Sequence, residues 1–397
     1  MTSAMLAPMA GAGAQPEHTY TYLFCDLRTD VLLAELPLKN VEYSTELNGI
    51  GTFRGHVPYS DETLPLDPEA ATTPCRTALY VDRDGVIVWG GIVWTRTING
   101  AGKDIQAAEF FSYYQQRYVK TTLSTDTSLI IDTDFVPDGQ RLYPDQMHVV
   151  WSLMRYAHVQ SGGDILIDTN PLAGPATGVT RVVTYPGYER PEIYKSIADM
   201  AAASDGFDFG IEVGWTSSAN NQPPKRYRRA KAYFPRRGRT AADSGLVFAH
   251  GGAAGSIIDY EWPEDGTALA TEVSGLGEGS GEATLQKIVQ DTDMLASGWP
   301  LLEAVTKHEG VVEQARLDAL TSADLNARGQ SQTQPTFTVE ADADPAFGSY
   351  SVGDEALFVI DDSARTPGGR EAVLRIVKIE NTAKGGPERI KLTCVGV

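Results

Sequence analysis

Six histidines are the side chains of this sequence best suited to metal or proton-transfer chemistry. His148 and His158 share a stretch of helical periodicity, but ten residues at about 100° each set them on different faces. His18, His56, His250 and His308 stand alone, and no H-E-x-x-H occurs. Three cysteines, Cys25, Cys75 and Cys394, are widely separated and contain no C-x-x-C pair. They read as free thiols of a reducing cytoplasm, not as a disulfide framework or zinc site. Neither a G-x-S-x-G elbow nor a P-loop is present. Carboxylates are so abundant that none is singled out as half of a glycosidase pair. The sequence therefore predicts no catalytic residue, no metal ligand and no cofactor site.

Two segments still invite a chemical reading. Gly275-Leu276-Gly277-Glu278-Gly279-Ser280-Gly281 looks superficially like a nucleotide-binding loop. Its spacing is G-x-G-x-G-x-G and not G-x-G-x-x-G, and Glu278 would set a carboxylate beside any phosphate. It reads instead as a flexible loop or bulged strand leaving a barrel. Residues 225–239 carry eight cations, namely Lys225, Arg226, Arg228, Arg229, Lys231, Arg236, Arg237 and Arg239, with Tyr227, Tyr233 and Phe234 among them. Three readings fit. The segment is a solvated hairpin edge whose charge blocks edge-to-edge pairing, a direct DNA contact, or an ion-paired contact with an acidic neighbouring subunit. Under the last, Arg228, Arg229, Arg236, Arg237 and Arg239 are the contact residues. The chain carries a net charge of −19, which repels nucleic-acid backbones and anionic lipid and which identical subunits must offset locally to associate.

These side chains are held by 397 residues of which 42% are hydrophobic, enough for two to four modules. Residues 1–17 lack the basic start and apolar run of a signal peptide, and read as a flexible or partner-ordered arm. No stretch approaches the roughly 18 apolar residues of a membrane helix, so a soluble protein is expected. From Tyr20 onward the chain alternates as β-strands do, with an Asp84-Gly85 hairpin turn and a glycine-punctuated bend at residues 49–58. An aromatic strand is expected over residues 105–119. Helices are expected over 145–160, with Asp145 as N-cap, and over 191–204 and 310–328. Short strands are expected near 165–168 and 180–184. The fold class is mainly β with α/β insertions. The expected modules are an arm (1–17), a first β-barrel (18–120), an α/β insert (121–206), the first part of a second barrel (207–284), a helical insertion (285–330) and closing strands (331–397). The terminal strands need earlier ones to pair with, which is why the second barrel is read as split.

Several segments together resemble the minor tail proteins of actinobacterial siphophages, a hub group related in architecture to the T-even baseplate hub. They are the strand and bend over residues 41–51, the hairpin ending Trp89-Gly90-Gly91-Ile92-Val93-Trp94, and Phe110-Phe111-Ser112-Tyr113-Tyr114. Tyr233-Phe234-Pro235-Arg236-Arg237-Gly238-Arg239, the glycine run 275–281 and Tyr350-Ser351-Val352-Gly353-Asp354 follow in the same order. The resemblance implies two tube-like antiparallel β-barrels per subunit in a homotrimeric ring at the tail tip. It implies as partners the distal tail protein, the C-terminal end of the tape measure protein and other tip or receptor-binding proteins, with genomic DNA only in passage. An acidic chain suits a channel through which DNA must slide. Many relatives extend into a peptidase or receptor-binding module, whereas this chain ends at Val397 just after a barrel strand, so a non-enzymatic role is expected. The alternatives are a hexameric distal tail protein, or a cell-wall-binding or hydrolysing tip protein using Tyr113, Tyr114 and Trp215 as a sugar platform.

Overall fold

Strand β1 (Tyr20–Asp26) is buried on both faces, because its alternate side chains enter two different cores. The computed structural model describes residues 18–59, 68–125, 144–173, 177–217, 223–251, 255–308, 310–329, 334–361, 369–383 and 388–397. The arm expected over residues 1–17 lies outside the described residues. Two units are present: residues 1–259 with 337–395 and residue 397, and residues 260–336 with residue 396.

In the first unit, β1 is followed by β2 (Leu32–Glu35), β3 (Lys39–Glu46), β4 (Thr52–Pro58), a short helix α1 (Pro68–Ala71), β5 (Thr77–Arg83), β6 (Val86–Asn99) and β7 (Gly102–Glu109). They pair antiparallel in the order β3-β4-β7-β6-β5-β1-β2. Phe24, Tyr43, Phe53, Leu79, Trp89 and Ile105, each from a different strand, share one core. Six strands can turn one face to a single core only if the sheet curls, as the glycine-bearing bends anticipated. At Gly91 a Cβ would lie 2.1 Å from the Ala108 carbonyl oxygen, so the close approach needs glycine.

The outer face of β1 and β5 presents Leu23, Cys25, Ala78 and Tyr80 to the second core. A 3₁₀ helix (Phe110–Gln116) closes over it, where the sequence suggested more strand. The correction has a packing reason. Three-residue turns place Phe110, Phe111 and Tyr114 together in that core, which an alternating strand could not do. After it come β8 (Leu123–Ser124), α2 (Gln146–His158), β9 (Thr184–Tyr185), α3 (Ile193–Ala201) and the antiparallel ribbon of β10 (Asp208–Trp215) and β11 (Arg226–Tyr233). Asp145 caps α2 by accepting from the Met147 N–H at 2.9 Å. The short strands expected at 165–168 and 180–184 reduce to the single bridges Asp168↔Arg229 and Asp145↔Thr180 and to β9.

The chain continues through α4 (Ala241–Ser244), β12 (Val247–His250) and β13 (Ile257–Glu261). The second unit then intervenes with β14 (Glu272–Leu276), β15 (Gln286–Gln290), α5 (Thr292–Ala296), β16 (Glu303–Lys307) and α6 (Gln314–Arg328). Its sheet has the order β15-β14-β16 with β14 and β16 parallel. A Cβ on Gly275 would meet Thr321 Oγ1 of α6 at 2.0 Å, so this glycine serves strand–helix contact. Within 207–284 the ribbon packs into the core shared with α2 and α3, β12 lies in the first unit, the division between the units falls within β13 after Asp259, and β14 belongs to the second. The segment 285–330 carries strands as well as helix.

The closing strands β17 (Thr336–Glu340), β18 (Glu355–Ile360), β19 (Arg370–Ala383) and β20 (Arg389–Gly396) do pair with earlier ones. β19 is shared: residues 370–375 pair with β18 and 378–383 with β3, so the large sheet runs β13-β17-β20-β19-β3 and onward. Phe358 stacks between Phe337 and Phe248, with ring centroids 4.2 and 5.1 Å away.

Candidate functional site

The basic segment occupies β11 and the turn after it, and strand alternation splits its charges. Arg226 and Arg228 point to the core side, while Arg229 and Lys231 point away. Arg228 is 2% exposed. Its Nε donates to the Tyr80 hydroxyl at 2.6 Å, Nη1 to the carbonyls of Leu27 and Ile165, and Nη2 to Asp30 Oδ1 at 2.9 Å. Phe110 lies under the guanidinium, 4.3 Å from ring centroid to Cζ. Asp30 sits at the β1–β2 turn in left-handed conformation and also accepts from Tyr80 and from Arg226 Nε. All three nitrogens of the Arg228 guanidinium and both oxygens of the Asp30 carboxylate have a partner, which is the condition for tolerating charge there.

The turn 234–240 forms a strap onto the 350–355 turn and β19. Asp208 Oδ2 accepts from the Arg237 N–H at 2.6 Å and pairs closely with Arg375, while its Oδ1 accepts from Asn48 Nδ2. Asp354 accepts from the Arg239 N–H at 2.8 Å and from Arg239 Nη2 at 2.7 Å, and Glu355 pairs with Arg236 at 2.5 Å. Burial alone would raise the Asp354 carboxyl, but the hydrogen bonds from Arg239 and Ser351 outweigh it and hold it below the usual range. Gly238 and Gly353, both at positive φ, meet backbone to backbone where a Cβ on Gly238 would lie 2.1 Å from Gly353.

Of the five arginines expected at a subunit contact, Arg228 is therefore buried among its own chain's groups. Arg236 and Arg239 neutralise acids of their own chain. Arg229 and Arg237 stack on Tyr227 and Tyr233 instead, at 4.2 and 5.3 Å to the ring centroids. The acids that complete the cluster, Asp30, Asp208, Asp354 and Glu355, were not singled out in the sequence. Only the turn signals Asn48-Gly49 and Gly353-Asp354 point toward them.

Arg237 also borders a cavity of about 420 Å³ lined by Glu46, Glu109, Glu212 and Tyr227. Burial pushes the Glu109 carboxyl up to about 7, against the opposing pull of a hydrogen bond from the Gly51 N–H, a second from Thr45, and the nearby Arg237 charge. Among the described residues no group of three or more His, Cys, Asp or Glu is placed to hold a metal ion. Four of the histidines have local partners. His18 bridges Asp84 and Asp342 at 2.6 and 2.7 Å, His56 meets Asp104, His308 meets Asp324, and His158 meets the Tyr114 hydroxyl. Among the described residues no helix is long and apolar enough to cross a membrane.

The aromatic platform considered for sugar binding is not assembled. Tyr114 is fully buried, Tyr113 donates to the Gly163 carbonyl, and Trp215 donates to Asp82 at 2.7 Å. These rings fill the core beneath the ribbon, as half-buried β aromatics do.

No family model and no curated protein matches the sequence. Solved structures do match in fold. The 43 kDa tail protein of prophage MuSo2 from Shewanella oneidensis aligns with a TM-score of 0.58 at 12% identity, over 95% of this chain and 98% of that one. A tail protein from Neisseria meningitidis MC58 aligns with a TM-score of 0.52 at 10% identity, over 94% and 96%. The chain has the fold of these tail proteins. In this tail-protein fold the ion-paired strap lies where the first β half, the α/β insert and the closing strands are joined within one unit.

Proposed function

We propose that this chain is a structural tail-tip hub protein of a long-tailed bacteriophage. It forms a homotrimeric ring that joins the distal tail protein and tail tube to the tip, holds the C-terminal end of the tape measure protein and gates the DNA channel. The observation that carries this reading is the end-to-end likeness in fold to a phage tail protein, which leaves almost none of either chain unmatched. The internal pairing of the arginines supports a structural role. Groups that could polarise a substrate are instead spent on Asp30, Asp208, Asp354 and Glu355. The net charge of −19 keeps a lumen from holding passing DNA. The role is non-enzymatic, in the virion, at the distal end of the tail.

Native mass spectrometry of the purified protein, followed by cryo-electron microscopy of the intact tail tip, tests this. Three copies in one ring beneath the tube are expected. A strictly monomeric protein, or six copies in the ring, overturns the hub reading, and six copies would favour a distal tail protein.

A further inference from the structure

We infer that His18 is a proton-operated latch. As the imidazolium it ties the entry to β1 both to the β5–β6 turn and to the turn after β17, and as the neutral ring it lets the second turn go. His18, Asp84 and Asp342 all belong to the first unit, so the latch works within one body and is independent of any ring.

Nδ1 of His18 lies 2.6 Å from Asp84 Oδ2, and Nε2 lies 2.7 Å from Asp342 Oδ1. A neutral imidazole carries one N–H and one lone pair, so it donates to one carboxylate and turns a lone pair on the other. At these distances only the imidazolium serves both acids, with two charge-assisted hydrogen bonds. The seat of the ring does not depend on its charge. The Thr19 N–H donates to Asp84 Oδ1 at 2.9 Å, and the Asp84 N–H donates to the Thr19 carbonyl at 3.0 Å. The β5–β6 turn therefore keeps its hold on the β1 entry whatever the protonation state. Asp342 is held through His18, and its other cation, Arg83, is 3.8 Å away and pairs at 2.9 Å with Glu388.

The charged groups around the ring are Asp84 and Arg83 from the β5–β6 hairpin, Asp342 from the turn after β17, and Glu388, just before β20, behind Arg83. The hydrogen bond with Asp342 first, and that with Asp84 next, raise the imidazole above its ordinary 6.5, against burial and the Arg83 charge. Below 6.5 the ring is charged in the folded and unfolded chain alike and the hold is complete. It is lost as pH rises through the raised folded value. The turn that is then released is closed by two backbone hydrogen bonds, Ala343 N–H to the Glu340 carbonyl at 3.3 Å and Phe347 N–H to the Ala341 carbonyl at 2.7 Å. These bonds report its opening.

The test uses the full-length protein with ¹⁵N-labelled histidine, the His18 ring signals being assigned by their loss in His18→Gln. His18 is expected to titrate above 6.5, and Asp342→Asn and Asp84→Asn are each expected to bring that titration to lower pH. Hydrogen exchange at pH 6 and pH 9 then reads the turn. Protection of the Phe347 amide is taken relative to that of Leu153, which is fully buried in α2. In the parent this ratio is expected to fall at least about threefold from pH 6 to pH 9, and in His18→Gln it is expected to be the same at both. A ring that titrates at or below 6.5, or whose titration neither aspartate substitution moves, overturns the latch. So does a parent whose ratio is the same at both pH values. A fall of equal size in His18→Gln assigns the change to another group and likewise overturns the proposal.

Discussion

Arg228 Nη2 donates to Asp30 Oδ1 at 2.9 Å, linking residues 198 positions apart where the arginine side chain is 1% exposed. Removing Arg228 takes the guanidinium donors from two carbonyls and from the Tyr80 hydroxyl, and leaves Asp30 with the Arg226 cation alone. Arg228→Ala is expected to destabilise the protein by about 2–4 kcal/mol. Arg228→Lys should recover little, because an ammonium cannot serve four acceptors spread over a planar fork. Arg229→Ala, on the opposite face of the same strand, should cost less than about 1 kcal/mol. Urea denaturation of the three variants at one pH decides it, and equal losses at positions 228 and 229 contradict the burial argument.

The sequence made the existence of the ribbon's charges plain but not their destination. Alternation in β11 is local and readable, yet Asp30 is brought to it only by the β1–β5 pairing and the packing of Tyr80, which no window of sequence contains. Helix α2 was legible for the opposite reason. Asp145 and the apolar spacing behind it act within four residues of each other. The run Phe110-Phe111-Ser112-Tyr113-Tyr114 has strand propensity, and tertiary packing overrode it. Residues 260–336 cluster as one unit that no window of sequence marks, because β14 and β15 are short strands in a glycine-rich setting and the parallel β14–β16 pairing is non-local.

Glu109 gives a pH dependence of definite sign. Its carboxyl is raised from an ordinary value of 4.5 to about 7, chiefly by burial, so the folded state holds the proton more tightly than the unfolded chain. Stability from this group is full below about pH 4.5, falls as pH rises toward 7, and is flat above. Glu109→Gln keeps an acceptor for the Gly51 N–H and removes the titration. At pH 8 it should exceed the parent in stability by about 1–2 kcal/mol, allowing for solvent screening at the cavity edge. At pH 5 the two should nearly coincide. Chemical denaturation at both pH values is the measurement, and a gap of the same size at each removes Glu109 as its cause.

Two glycines of the first β half should respond very differently to a single methyl group. At Gly91 the added Cβ would sit 2.1 Å from the Ala108 carbonyl oxygen and 2.6 Å from Trp89. Backbone cannot swing aside as a side chain can, so Gly91→Ala is expected to cost about 3 kcal/mol or more. Gly85 has φ of 85° but open space around it, so Gly85→Ala meets only backbone strain, about 1 kcal/mol. Melting temperatures of the two variants separate steric from conformational cost. Comparable losses would mean that the sheet relaxes around position 91.

Charge reversal along the strap separates folding from assembly. Asp354 is 2% exposed and accepts from both the backbone and the guanidinium of Arg239. Arg239→Glu places two carboxylates together and should cost about 3 kcal/mol in the isolated chain before any subunit meets another. Arg229 lies over the Tyr227 ring, and its reversal removes only about 1 kcal/mol of cation–π attraction, whereas Arg237 also faces Glu46, Glu109 and Glu212 across the cavity. If the remaining positive surface helps acidic subunits associate, Arg229→Glu should leave the unfolding free energy within about 1 kcal/mol of the parent. The same variant should still lose oligomer, increasingly so at low ionic strength where repulsion is unscreened. Sedimentation velocity at two salt concentrations, run beside the denaturation curves, reads both quantities. A variant that assembles normally at physiological salt would remove Arg229 from the subunit contact.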